Sequence, residues 1–354
     1  MTEKFEGWVG LNSTAANGHM VWKSFEPKPW EETDVDIKVT HSSVCGTDVH
    51  VLKDDWGGTK FPICVGHELV GIAIRVGSQT ENDIKVGDRV GVGAQADACL
   101  SRDGPCDSCS NGQENYCPNA IYTYGSVHRN GAIAMGGHAT HHRAPSHFVF
   151  KIPDGLESGA AASMLCAGIT TYAPLRQHGA GPGFRIGVIG LGGLGHFAVL
   201  WAKALGVDHV AVISRNKSKR RDALALGADS YLATDEVSWA EPYRRMFDLL
   251  ISTVSSAKVI LDYFSILRAG GKLLQLGAPD EPVPIPIFPL MQSGLSLSSS
   301  GIGSPAEIRE MLNLAVEKKV EPWVQERPMK EANQAMIDFE AGKPRFRYVL
   351  VNEI

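Results

Sequence analysis

The sequence predicts an α/β protein of two domains, one mainly β and one built on a doubly wound parallel sheet. Three observations predict it: a length of 354 residues, a first half of short apolar runs cut by turn residues, and a change of rhythm near residue 184. A chain of this length is more than a single core ordinarily serves. With 44% hydrophobic and 21% charged residues, it has the material to bury such cores.

The elements follow in chain order. Between about residues 34 and 155, DVDIKVTH, ELVGIAIRVG and RVGVGA read as strands, because short β-prone runs are bounded by Gly, Pro and Asp. From about residue 184, FRIGVIG, HVAVIS, FDLLISTV and GKLLQLG are near-continuous apolar runs, the mark of strands buried on both faces. Stretches of helical period such as HFAVLWAKAL separate them. The run PDEPVPIPIFP reads as a loop rim, since apolar residues interleave with its prolines. After GLSLSSSGIGS come two amphipathic segments, PAEIREMLNLAVEKKV and MKEANQAMIDFEAG, and a strand-like FRYVLVN that on pattern alone fits either domain.

Charge narrows the partners. A formal net charge of -5 gives nucleic acid or an anionic membrane no basic surface to meet. The opening MTEKFEGWVGLNSTAANG has neither the basic start nor the apolar core of a signal peptide, and no apolar run is long enough to span a bilayer, so a cytoplasmic location is expected. In such a reducing compartment, clustered cysteines point to metal binding or redox chemistry before cross-linking. Cys99, Cys106, Cys109 and Cys117 lie with six, two and seven residues between them. Four thiolates can close a tetrahedral zinc shell of the structural kind; disulfide pairing is the alternative.

FRIGVIGLGGLGHFAVLWAKALG sets Gly190, Gly192 and Gly195 between an expected strand and an expected helix, with Gly193 and Leu194 completing the turn. The first glycine permits the tight turn, the second lets a pyrophosphate approach, and the third allows helix to pack on strand. Helix-start N–H groups then hold the negative charge. Where an NAD enzyme carries an acid for the ribose 2′-hydroxyl, this chain reads VISRNKSKRR. Ser214, Arg215 and Lys219 suit a 2′-phosphate, which points to NADP(H); a solvated basic helix start is the plainer reading.

VCGTDVH, VGHELVG and LCAGITTY supply Cys45, His67 and Cys166, two sulfurs and one imidazole, the ligand set of a catalytic zinc with an open position. Spacing alone leaves His67 with Glu68 as an ordinary pair and Cys166 as a small buried residue.

CGTDVH, GHELVG, KVGDRVGVGAQ, the four-cysteine lobe, LCAGITTYAPL, GLGGLG, ISRNKSKRRDA and SGIGS occur in one order along nearly the whole chain. On these motifs it resembles the zinc-dependent medium-chain dehydrogenase/reductase superfamily, and within it the cinnamyl alcohol dehydrogenase family, especially its fungal NADPH-dependent members. The resemblance implies a GroES-like catalytic domain over residues 1–158, to which 303–354 return, a Rossmann domain over 159–302, and an active site in the cleft. It implies two zinc ions per chain, the catalytic one on Cys45, His67 and Cys166, with Glu68 as the acid that transiently approaches the metal. Thr47 would hydrogen-bond the alkoxide, His50 would exchange its proton with solvent, and Asp48 would orient His67. Thr170 and Ser304 fall near the nicotinamide. Trp56, Tyr122 and Tyr124 fall in the segments that wall the substrate pocket, and Gly301 replaces a bulky aromatic residue of the plant enzymes, widening it.

One departure is the insertion SRDG between the first two lobe cysteines, which forces Cys99 into a longer excursion. Cys64 is left over as a buried residue beside a strand. His138, His141, His142 and His147 of GGHATHHRAPSH are expected as exposed histidines on a strand edge rather than as a metal site. The implied activity is NADPH-dependent reduction of aromatic and medium-chain aldehydes by a homodimer that uses PIPIFPLMQ at its interface. The competing readings are a conjugate reductase of enals or iminiums and a non-catalytic NADPH sensor.

Overall fold

The structure is a computed structural model and describes residues 3–255, 260–279 and 282–353. Asp280 and Glu281 of the proline-rich run lie outside the described residues. The chain divides into two compact units. The first holds the residues up to 169 together with 303–317 and 323–354, and the second holds 170–302 and 318–322.

The first unit, among the described residues, is organised on a seven-stranded sheet in the order Val149–Lys151, Arg89–Val92, Leu69–Val76, Asp34–Ser43, Arg347–Val351, Val324–Pro328, with His141–Pro145 also paired to Asp34–Ser43. Period-two alternation explains the central strand. Val35, Ile37 and Val39 point to one face and form a core with Leu69, Ala73, Val90, Val92, Ala144 and Val149. The pairing with Leu69–Val76 slips at Asp36/Ile37 and at Val39/His41, so the long strand bends. The C-terminal FRYVLVN joins this unit, running antiparallel to Asp34–Ser43 and parallel to Val324–Pro328.

The second unit, among the described residues, carries a six-stranded sheet. Its order is Ser230–Ala233, His209–Ser214, Arg185–Ile189, Phe247–Ser252, Leu267–Gln275, Ser296–Ser298, all parallel. Numbered along the chain this is 3-2-1-4-5-6, the Rossmann order, whose direction reverses beside Arg185–Ile189. The four apolar runs of the sequence form four of its strands. Part of the proline-rich run proves helical: Ile287–Ser293 form a helix, with Ile287, Phe288 and Met291 61%, 70% and 72% exposed. Among the described residues, no helix is long and apolar enough to cross a membrane.

Candidate functional site

Cys45 is the extended residue that opens the helix Gly46–Lys53, and its backbone N–H donates to Asp48 Oδ2 at 2.8 Å. Asp48 Oδ1 accepts the N–H of Gly66 at 3.0 Å, which ties the turn before His67 to the same helix. Gly66 has φ +99°, and a Cβ there would come within 2.6 Å of His138 Nδ1, so only glycine fits. Cys166 lies in a π-helical turn, Met164–Gly168, joining the helices Ser158–Ser163 and Ile169–Gln177. Such widened turns recur at functional sites because they re-aim a side chain.

These three elements bring one ligand atom each from Cys45, His67, Glu68 and Cys166 to within 4.8 Å of one another. His67 Nε2 is buried there and has no hydrogen-bond partner among the described residues. A buried lone pair without a donor is costly unless something occupies it. Two sulfurs, an imidazole nitrogen and a carboxylate fit a zinc ion. The electrostatics agree: burial opposes charge on His67, but Cys45 and Asp48 outweigh it and hold the imidazolium up to about 9. The negative groups that favour a charged His67 also favour a divalent cation beside it. Hydrogen bonding from Cys166 lowers the Cys45 thiol, against the effect of burial.

Sequence reasoning assigned the orientation of His67 to Asp48, and the structure differs. Asp48 Oδ1 stands 3.8 Å from Nδ1, beyond hydrogen-bond reach, and the atom at 3.0 Å is the hydroxyl of Tyr124. The two rings stack with centroids 5.3 Å apart and planes at 21°. Tyr124 is therefore a buried partner of the imidazole rather than a pocket wall. Arg347 belongs to none of the sequence motifs, yet it braces the site. Its guanidinium is 2% exposed and donates to Glu68 Oε1 at 2.6 Å and to Ser43 Oγ at 3.0 Å. Burial pushes the Glu68 carboxyl up to about 7, and Arg347 opposes the shift.

Thr47 Oγ1 lies 3.7 Å from Cys45 Sγ. His50 Nδ1 is 2.8 Å from Asp55 Oδ2, and its ring stacks on Trp56 at 5.0 Å and 22°. Trp56 and Tyr122 are both exposed, and a Cβ on Gly301 would meet nothing within 4 Å. Thr170 lies in the helix Ile169–Gln177. Ser304 caps the helix Pro305–Glu317: its N–H donates to Glu307 Oε2 at 2.8 Å, and its Oγ accepts the Glu307 N–H at 3.4 Å. The local sequence SPAE, a capping box with proline at the first helical position, carries that signal.

In the lobe, the sulfurs of Cys99, Cys106, Cys109 and Cys117 also lie within 4.8 Å of one another, and all four are free thiols. Cys99 stands 3.7 Å from Cys109 and 3.5 Å from Cys117, too far for disulfides. Zinc–sulfur bonds of about 2.3 Å give a tetrahedral edge of about 3.8 Å, so the separations fit a zinc shell. Backbone N–H groups of Cys99 and Asn119 point at the Cys117 sulfur, at 3.5 and 3.4 Å. The insertion is pinned. Leu100 and Ser101 take left-handed φ of 49° and 58°, and Arg102 folds back to the carbonyls of Ala98 and Cys99 and to Asp97 Oδ1 at 2.6 Å. Asp103 forks with Arg129.

The histidine-rich strand needs correcting. His138, His141 and His142 are 0%, 9% and 4% exposed, because His141–Pro145 is paired to the central strand. His147 is held between Glu81 and Glu114. These four do not form a metal-ligand group among the described residues. Cys64 is fully buried in its strand, as expected.

In the second unit, Gly190 has φ +87°, and a Cβ on it would meet Val254 Cγ1 at 2.6 Å. A Cβ on Gly195 would strike the carbonyl oxygen of Gly190 at 2.0 Å, whereas Gly192 faces open space. A tight turn, a clear approach for a ligand and close helix packing are the three demands of a pyrophosphate loop. Gly193 and Leu194 lead into the helix Gly195–Ala204. Ser214 ends its strand, Arg215 follows it, and Lys219 Nζ donates to the carbonyl of Leu191 at 2.7 Å, reaching the glycine loop.

Residues 31–154 match the family described as "Alcohol dehydrogenase GroES-like domain", and residues 193–317 match "Zinc-binding dehydrogenase". The NADP-dependent alcohol dehydrogenase 6 of Saccharomyces cerevisiae is 38% identical over 361 residues, covering 99% of this chain and 97% of that protein. Cinnamyl alcohol dehydrogenase 2 of Rauvolfia serpentina is 40% identical over 329 residues, 92% of this chain and 90% of its own length. Among solved structures, a cinnamyl alcohol dehydrogenase of Sorghum bicolor superposes with a TM-score of 0.92 at 36% identity, over 99% of this chain and 98% of that one. Family matches across both halves, together with relatives that align nearly end to end, establish that the chain belongs to the zinc-dependent medium-chain dehydrogenase/reductase superfamily and, within it, to the cinnamyl alcohol dehydrogenase family.

Proposed function

We propose that this chain reduces aromatic and medium-chain aldehydes to primary alcohols, reversibly, with NADPH as hydride donor. The observation that carries the reading is the convergence of two thiols on the partnerless Nε2 of His67. A zinc ion held by Cys45, His67 and Cys166 would supply Lewis acidity to a carbonyl oxygen, and NADPH the hydride. The protein's own part is binding, orientation and the proton.

Thr47, on the first turn after Cys45, donates its hydroxyl to the developing alkoxide oxygen. His50 exchanges the proton with solvent, its ring oriented by Asp55 and by the face of Trp56. Asp48 holds the Cys45 and Gly66 turns at fixed spacing. Glu68, anchored by Arg347, is poised beside the ligand atoms. Gly190, Gly192, Gly193, Leu194 and Gly195 receive the pyrophosphate, and Ser214, Arg215 and Lys219 the 2′-phosphate. Thr170 serves the nicotinamide end. Ser304 lies near that end, its N–H and its hydroxyl both engaged in the helix cap. Trp56 and Tyr122 offer exposed aromatic faces suited to an aromatic substrate, and Gly301 leaves room at its own position for a broad specificity.

Cys99, Cys106, Cys109 and Cys117 hold a second, structural zinc. The catalytic domain runs over 1–158 and 303–354 and the cofactor domain over 159–302. The enzyme works in the cytoplasm as a homodimer that covers the apolar face of Ile287, Phe288 and Met291.

The test is the initial rate of cinnamaldehyde reduction with NADPH and with NADH, before and after prolonged zinc chelation. A chelation-sensitive rate confined to NADPH is expected. An NADPH rate that survives full loss of both metals would overturn the reading.

A further inference from the structure

His67 can serve a metal through Nε2 only if its proton sits on Nδ1, because a neutral imidazole carries one N–H and one lone pair. What decides the tautomer is the atom facing Nδ1. In this chain that atom is a phenol oxygen, at 3.0 Å, with the nearest carboxylate oxygen 3.8 Å away. A hydroxyl is ambiguous by itself, since it donates one hydrogen bond and accepts others. The cluster at Nε2 removes the ambiguity.

Both carboxylate oxygens of Asp48 already take backbone N–H groups, from Cys45 at 2.8 Å and from Gly66 at 3.0 Å, so the group is an acceptor. The atom placed to accept from Nδ1 is the Tyr124 hydroxyl, at 3.0 Å. With Nε2 turned to the ligand cluster and needing its lone pair free, Nδ1 carries the proton and donates it to that oxygen. The hydroxyl cannot swing away, because the ring is 6% exposed, stacked on His67 at 5.3 Å and packed in a core with Val44, Leu52, Ile63 and Val65.

We propose that Tyr124 is the positioning residue that holds the His67 tautomer, accepting from Nδ1 so that Nε2 faces the Cys45–Cys166 cluster with its lone pair free. The proposal rests on the reading of Cys45, His67 and Cys166 as ligands.

The experiment compares the zinc-loaded wild type with Tyr124→Phe, Tyr124→Leu and His67→Ala, following zinc release to a chromophoric chelator. It also records the visible spectrum after cobalt replaces the zinc of the Cys45 site. Tyr124→Phe keeps the ring and loses the hydroxyl. One zinc per chain should leave it about 10- to 100-fold faster than in the wild type, with the lobe zinc unaffected and the cobalt bands shifted. Unchanged release and an unchanged cobalt spectrum in Tyr124→Phe would overturn the proposal. Fast release from Tyr124→Leu alone would overturn it too, since the ring's packing would then be all that matters. His67→Ala separates the two levels of the argument. Loss of one zinc in that variant upholds the ligand reading whatever Tyr124→Phe does, while retention of both would overturn that reading and this proposal with it.

Discussion

The two sulfur clusters of this chain use similar atoms in opposite ways. The lobe draws Cys99, Cys106, Cys109 and Cys117 from one short segment, and two backbone N–H groups of that same segment point at the Cys117 sulfur. The other cluster draws Cys45, His67 and Cys166 from a helix start, a glycine turn and a π-helical turn far apart in the chain. Its supports, Tyr124 and Arg347, are also remote. A closed four-thiolate shell can be assembled locally and serves to hold a fold. A site that must keep a position open for a substrate needs its ligands braced from outside, and the whole unit supplies the bracing.

Four measurements would break or sharpen that contrast. The largest effect is expected from Cys166→Ala, which should cut aldehyde reduction by about a thousandfold or more. The same variant should lose one zinc per chain and unfold at nearly the wild-type temperature. If its melting temperature fell as far as that of a lobe variant, the division between open and closed sites would be lost. Cys109→Ser should do the reverse, lowering the thermal midpoint by on the order of 10 °C while fresh protein keeps most of its turnover. Turnover that vanishes together with the lobe metal would mean that the lobe is part of the catalytic apparatus.

Away from both clusters, Arg215→Asp combined with Lys219→Glu should shift the ratio of NADPH to NADH efficiency by about 100-fold without changing zinc content. An unmoved ratio would sink the phosphate assignment of VISRNKSKRR. The smallest effect belongs to Arg102→Ala, which loosens the insertion around Cys99. Because its side chain is 42% exposed, release of the lobe zinc should quicken only about threefold. No change at all would mean that the left-handed turn at Leu100 and Ser101 suffices to bring Cys99 home.

How much could be read beforehand follows the same contrast. The lobe was visible because its four cysteines are neighbours, and the glycine turn because Gly190, Gly192 and Gly195 each answer a local steric demand. The parallel strands announced themselves as unbroken apolar runs. The ligands of the dispersed site rested on resemblance, since no spacing rule joins Cys45 to Cys166. The tie between Tyr124 and His67 could not be read because the two are 57 positions apart, and Arg347 went unnoticed because Glu68 is 279 positions away. The buried histidines misled for a related reason: polarity suggested an exposed edge, whereas the strand was covered by elements distant in the chain. Ser304 is the instructive exception, because the pattern SPAE was there to be read.

The Arg347–Glu68 pair also sets a timetable. Glu68 is made early in synthesis, but the cation that matches its buried charge arrives 279 residues later, on a strand that pairs with Asp34–Ser43. A nascent chain that has emerged only as far as Cys166 holds every ligand of the cluster, together with an acid whose burial would be uncompensated. The setting of Glu68 is thus completed only by the C-terminal strand, and a chain cut short before Arg347 would carry Cys45, His67 and Cys166 beside a buried acid without its cation.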